Sequence, residues 1–131
     1  MINFTRKPHY DYADLLEIIR LLRSEDGCPW DKAQTHKSIR RGLLEEAYEA
    51  AEAIDNDDPV LLKEELGDVL LAAVKVGRFC GCDPEDAVNG TCEKFIHRFR
   101  AVEEGAAVRG REVSQLSLEE MTALWNEAKR S

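Results

Sequence analysis

Apolar residues recur at intervals of three and four through almost the whole chain, and nowhere do they alternate with polar ones. A repeat near 3.6 builds an amphipathic helix, whereas a repeat of two builds a strand. That regularity restricts the chain to an all-α fold. Leu15, Ile18, Ile19 and Leu22 predict a helix over 11–23, closed by the turn residues Ser24-Glu25-Asp26-Gly27-Cys28-Pro29. Leu43, Leu44, Ala47, Tyr48, Ala51 and Ile54 form the stripe of a second helix over 37–54, which stops in Asp55-Asn56-Asp57-Asp58. Asp58-Pro59 and Asp83-Pro84 each set a side-chain acceptor before a proline at the first helical position, a start signal for helices over 59–79 and 84–104. Their stripes run through Leu62, Leu66, Val69, Leu70, Ala73 and Val74, and through Val88, Cys92, Phe95, Ile96, Phe99 and Val102. After a solvated link holding Arg109 and Arg111, Ser117-Leu118-Glu119-Glu120 is a capping box that opens a short last helix ending near Arg130. The expected architecture is a helical bundle of four main helices plus a short C-terminal helix, in a single domain over 1–131.

A chain of 131 residues can bury a core without staples, and 44% apolar with 34% charged residues excludes a disordered chain. No apolar run approaches the roughly 18–20 residues that span a bilayer, so no membrane partner is expected. Residues 1–12 lack the apolar core of a secretory signal, which points to the cytoplasm. Cys28, Cys80, Cys82 and Cys92 are then reduced, as small buried or half-buried thiols. The balance of 26 acidic against 18 basic side chains, net −8, argues against a nucleic acid polymer, whose backbone is recognised by clustered Lys and Arg.

Part of that acid is not ordinary surface charge. At about 100° per residue, Glu45, Glu46 and Glu49 share one arc beside the apolar stripe of their helix. Glu65 and Asp68 repeat the device one helix later, again one turn apart. Like charges at this spacing repel, and the cost rises beside a core where each carboxylate loses hydration. Two helices presenting paired acids next to their buried faces invite a hard cation, Mg²⁺ or Mn²⁺, with coordination left over for water and a substrate phosphate. Taken singly, each cluster also fits a solvated acidic face; Glu52 and Glu64 are assigned to that solvated remainder.

At these residues the sequence resembles the MazG-like nucleoside triphosphate pyrophosphohydrolases. That family carries E-E-x-x-E followed by E-x-x-D, here Glu45-Glu46-Ala47-Tyr48-Glu49 and Glu65-Leu66-Gly67-Asp68 with fifteen residues between them. Gly27-Cys28-Pro29-Trp30-Asp31-Lys32-Ala33-Gln34-Thr35-His36 is similar to its G-C-P-W-D-x-x-Q-T-H segment. Lys94-Phe95-Ile96-His97-Arg98-Phe99 resembles its K-F-x-x-R-F helix, and Leu124-Trp125-Asn126-Glu127-Ala128-Lys129 its closing helix. Two departures stand out: the best-known member carries two such domains, and Arg100-Ala101-Val102 continues the helix where some relatives read R-R-H-P-H-V-F.

The resemblance implies hydrolysis of a ribo- or deoxyribonucleoside triphosphate to monophosphate and pyrophosphate, a house-cleaning activity on the nucleotide pool. It implies Mg²⁺ held by Glu46, Glu49, Glu65 and Asp68, with Glu45 supporting them or orienting water. It implies phosphate contacts from Lys94 and Arg98, substrate contacts from Trp125 and Lys129, and a site completed by a homodimer or homotetramer. Physically, Lys94 and Arg98 lie four apart on one face and could clamp a polyphosphate, or serve only to solubilise the helix. Trp125 could anchor the last helix while walling the site. Trp30 offers a ring for base stacking, with Gln34 and His36 supplying polar contacts, or the Pro29-Trp30 segment folds the loop and His36 helps start a helix. A related pyrophosphohydrolase with a narrower substrate, and a helical metal- or nucleotide-binding interaction module without turnover, are the alternatives. A di-iron bundle fits worse, because its Glu-x-x-His pairs are missing.

Overall fold

A computed structural model describes residues 1–131. Its elements are α1 (Tyr12–Leu22), α2 (Pro29–Lys32), α3 (His36–Asp55), α4 (Pro59–Cys80), α5 (Pro84–Val108), a 3-10 turn (Val113–Gln115) and α6 (Leu118–Ala128), with no strand. The all-α expectation holds. Tertiary contacts divide the chain into two units, Met1–Pro84 and Glu85–Ser131.

In the first unit, side-chain caps set the helix starts. The Asp11 carboxylate accepts the Asp14 N–H at 2.9 Å and Asp14 returns the bond to the Asp11 N–H, a reciprocal box that Thr35 and Ser38 repeat for α3. Asp58 accepts the Leu61 N–H at 3.0 Å with Pro59 behind it, as its sequence signal predicts. The α3–α4 connection is equally determined. Asp57 takes a left-handed φ of +50°, the Asp57 N–H donates to Ile54 at 3.1 Å and the Asp58 N–H to Ala53 at 3.1 Å. That pairing is a Schellman closure, and the residue leaving it caps the next helix. Leu16 and Ile19 of α1 pack on Val74 of α4, ringed by Leu15, Leu22 and Leu71.

Three differences from the sequence reading have physical causes. Pro29 starts a one-turn helix, α2, where an irregular loop was expected, because a proline already holds the dihedral a first helical residue needs. Leu44, Tyr48, Ile54, Leu66 and Leu70 are exposed although they belong to the predicted stripes. Within this unit α3 and α4 pack on each other and α1 covers only part of α4, so the buried positions on α3 and α4 narrow to Ile39, Ala53 and Val74. No disulfide forms, and Cys80, Cys82 and Cys92 are exposed while Cys28 alone is half-buried.

Gly27 closes the turn after α1. The Cys28 N–H reaches the Leu22 carbonyl at 2.8 Å, and a Cβ on Gly27 would stand 2.3 Å from that oxygen and 2.7 Å from the Leu21 oxygen. Both obstacles are backbone, so neither can swing aside. Gly27→Ala is expected to destabilise the protein by about 2 kcal/mol, read as a lower thermal midpoint; an unchanged midpoint would show that the turn relaxes freely.

The second unit is built on α5 and α6. α5 runs to Val108, beyond the predicted stop at 104, through Gly105. A Cβ there would lie 2.6 Å from Leu124 of α6, so the bare glycine admits the neighbouring side chain instead of ending the helix. The helix ends at Gly110, φ +66°, where the Gly110 N–H donates to Ala107 at 2.9 Å and the Arg111 N–H to Ala106 at 3.0 Å. Val102, Ala106 and Leu116 form the core, with Val113, Met121, Leu124 and Trp125 around it. Ser117 and Glu120 make the predicted capping box. Arg109 and Arg111 are not a solvated link: both pair with Glu120, and Arg111 foremost holds the Glu120 carboxyl down at about 2. No helix is long and apolar enough to cross a membrane.

Candidate functional site

Because α3 and α4 double back through a three-residue turn, positions equally far from Asp57 stand at similar heights. Glu49 precedes Asp57 by eight residues and Glu65 follows it by eight; Glu46 and Asp68 are each eleven away. At about 1.5 Å of rise per residue, the two levels lie roughly 12 and 16 Å from the turn. One carboxylate oxygen each from Glu46, Glu49 and Glu65 accordingly fall within 4.8 Å of one another.

These three acids are not neutralised by the protein. Glu46 and Glu65 are half-buried, and each keeps one Oε2 that is shut off from solvent and has no hydrogen-bond donor. Buried carboxylate oxygens ordinarily find a donor, so two in one cluster is an unsatisfied arrangement. Desolvation foremost, then Glu49, Asp68 and Glu46, pushes the Glu65 carboxyl up to about 7. Glu46 is raised as well, by desolvation first and then by Glu49, Asp68 and Glu45. An oxygen-only donor set with two orphaned, buried oxygens fits a hard divalent cation.

Asp68 stands beside this trio, adding to the field on both raised acids and lining a cavity of about 300 Å³ that Glu46 also borders. Gln34, Ser38 and Gly42 wall it on one side, and Ala72 and Lys75 on α4 wall the other. The Gln34 amide is held in place: its Nε2 donates to the Trp30 carbonyl at 3.1 Å, and its oxygen accepts the Ser38 hydroxyl at 2.7 Å. Lys75 pairs with Asp31 of α2 at 3.3 Å. Ser38, Gly42 and Lys75 escaped sequence reasoning. One signal for Lys75 was present, since it follows Asp68 by seven residues and so returns to the same helix face.

The remaining predicted residues are distributed differently. Trp30 is 83% exposed, leaving its ring accessible. The His36 ring meets Phe79 edge-on at 4.9 Å, which moors the start of α3 to the end of α4, and Arg23 lies 5.3 Å from the same ring. Thr35, not His36, caps α3. Glu45 is exposed and borders a separate recess with Lys37, Arg40 and Arg41. In the second unit the Arg98 guanidinium sits 5.9 Å from the Trp125 ring, and Phe95 packs on that ring at 5.4 Å, so Trp125 does anchor α6. Lys94 and Lys129 are exposed in that unit.

A family model described as the MazG nucleotide pyrophosphohydrolase domain matches residues 34–102. The nucleoside triphosphate pyrophosphohydrolase/pyrophosphatase MazG of Thermotoga maritima is 44% identical over 91 residues, covering 66% of this chain and 36% of that protein. The nucleoside triphosphate pyrophosphohydrolase of Escherichia coli K12 is 42% identical over 83 residues, covering 63% of this chain and 31% of the relative. The chain spans 19% to 38% of the length of the curated relatives it matches. The crystal structure of a mazG-related protein from Thermotoga maritima superposes with a TM-score of 0.65 at 34% identity, covering 91% of this chain and 99% of the other.

Proposed function

The chain belongs to the MazG nucleotide pyrophosphohydrolase family, and on that footing we propose that it hydrolyses nucleoside triphosphates, ribo or deoxy, to the monophosphate and pyrophosphate. The observation that carries this reading is the carboxylate trio with its two orphaned buried oxygens, set beside a cavity of about 300 Å³. In the reaction a water oxygen forms a bond to the α-phosphorus while the bond to the α–β bridging oxygen breaks, and pyrophosphate leaves. A divalent cation, Mg²⁺ or Mn²⁺, held by Glu46, Glu49, Glu65 and Asp68 would supply charge neutralisation and water activation. Glu45, next to Glu46 in sequence, is assigned to supporting the ligands or orienting the water on the family resemblance alone. Contacts to phosphate oxygens are assigned to Lys94, Arg98 and Lys129 on the family resemblance alone; such contacts would keep the substrate in line for displacement. Contacts to the nucleoside are assigned to Trp30, Gln34, His36 and Trp125 on the family resemblance alone, and of these Gln34 lines the cavity beside the carboxylates.

Association into a homodimer or homotetramer is supported by the exposed Leu44, Tyr48, Leu66 and Leu70 on α3 and α4. A cytoplasmic enzyme that clears unwanted nucleotides from the pool is the role we assign. The test is a panel of the eight common NTPs and dNTPs with Mg²⁺ or Mn²⁺, with product identification. Monophosphate and pyrophosphate in equal amounts, abolished by chelation, are expected. Release of orthophosphate, or no turnover of any of the eight, would overturn the assignment.

A further inference from the structure

We propose that Lys75 reads the nucleobase and selects substrates presenting a keto oxygen, namely uracil, thymine or guanine, over the amino-bearing cytosine and adenine. The proposal rests on the hydrolase reading for the orientation of the nucleotide. Asp68 and Lys75 line the same cavity from one face of α4, two turns apart, or about 10 Å along the axis. A nucleotide whose phosphates lie at the carboxylate end must carry its sugar and base along the cavity, toward Lys75. The walls on the way suit a flat ring: Ile39, Leu43, Leu71 and Ala72 are apolar.

At the polar end of the cavity Lys75 is one-sided in its hydrogen bonding. An ammonium has three donors and no acceptor. Asp31 pairs with the ammonium at 3.3 Å, yet its side chain is only 13% exposed against 33% for Lys75, and it is not among the cavity walls. The cavity therefore meets ammonium protons, while the carboxylate steadies them from behind. Gln34 and Ser38 spend their mutual bond and the bond to the Trp30 carbonyl inside the chain, which leaves Gln34 one N–H and one lone pair, so the discrimination falls to the Lys75 ammonium. A keto oxygen at position 4 of a pyrimidine or 6 of a purine accepts from such a wall. An exocyclic amino group there would set donor against donor beside a positive charge, stranding both groups in a confined space.

The experiment compares UTP with CTP and GTP with ATP, pairs that differ at that edge, in kcat/KM. It also measures binding of the non-hydrolysable α,β-methylene analogues of UTP and CTP by calorimetry. The wild-type chain is expected to favour the keto member of each pair by roughly tenfold or more. Lys75→Met should bring both ratios near one, and Lys75→Arg should keep the preference. If Lys75→Met unfolds because Asp31 loses its partner, the double variant Lys75→Met/Asp31→Asn removes the stranded charge and carries the same expectation. Equal wild-type ratios would overturn the proposal, as would a Lys75→Met loss of the same factor on all four substrates, the mark of a phosphate contact. If nothing is hydrolysed, the hydrolase reading fails and the binding ratios alone decide the role of Lys75.

Discussion

Glu65→Gln is expected to remove pyrophosphate release and, in the same protein without metal, to raise the melting temperature. The two effects share one cause. Glu65 holds a buried, donorless oxygen, and one of its carboxylate oxygens lies within 4.8 Å of one each from Glu46 and Glu49, an arrangement that is unfavourable until a cation fills it. An amide of the same shape withdraws one negative charge, relieving the repulsion and forfeiting the ligand. Turnover should fall on the order of 10²–10³-fold, with Glu49→Ala and Asp68→Asn losing comparable activity. The pH dependence follows from the Glu65 carboxyl, raised from 4.5 to about 7 in the metal-free fold. The folded protein holds that proton more tightly than the unfolded chain does. Its stabilising effect is therefore complete below pH 4.5 and is lost as pH rises through 7. Metal-free wild type should lose stability across this window, Glu65→Gln should lose less, and added Mg²⁺ should raise the melting temperature more at pH 8 than at pH 5. A Glu65→Gln chain that melts below wild type throughout would show that the cluster is held by bonds rather than opposed by charge.

Much of this arrangement was legible in the sequence because it is local. A helix repeats its faces every three or four residues, so Glu46 with Glu49, and Glu65 with Asp68, could be placed beside the apolar stripe without knowing the fold. The caps at Asp58 and Ser117 are equally local, and both act as their signals predict. What could not be read depends on distant pairing. Lys75 becomes part of a wall because Asp31, far away in sequence, meets it across α2 and α4. Leu66 and Leu70 look like core in any helical wheel, and only the extent of α1 decides that they stay uncovered while Val74 is buried. The apolar stripe marks the helix only to Val102, and the packing of Leu124 against the bare Gly105 belongs to the stretch of α5 that runs on to Val108. Arg109 and Arg111 read as link residues until Glu120 returns from the far side of a turn to receive them.

The largest loss of stability is expected from Ile19→Ala. Ile19 has no exposed surface, and with Leu16 and Val74 it forms the contact through which α1 covers α4. Truncation removes three carbons from a closed cluster and leaves a void whose walls belong to two helices, so collapse can be only partial. Such substitutions cost about 2–5 kcal/mol, a large share of the roughly 5–15 kcal/mol that separates a folded domain from its unfolded chain. Ile19→Val, which removes one carbon, should cost about 0.5–1.5 kcal/mol. The measurement is urea unfolding followed by helical signal, where the midpoint should fall with little change in slope. The functional consequence is indirect: Val74 is adjacent to Lys75, and loosening α1 from α4 loosens the cavity wall without touching a carboxylate. Mg²⁺ with a non-hydrolysable nucleotide at about a hundred times Kd should then restore about 2.7 kcal/mol, because ligand binds only the folded form. A midpoint equal to that of wild type would mean that α1 contributes nothing to holding α4, and that the α3–α4 pair carries the site by itself.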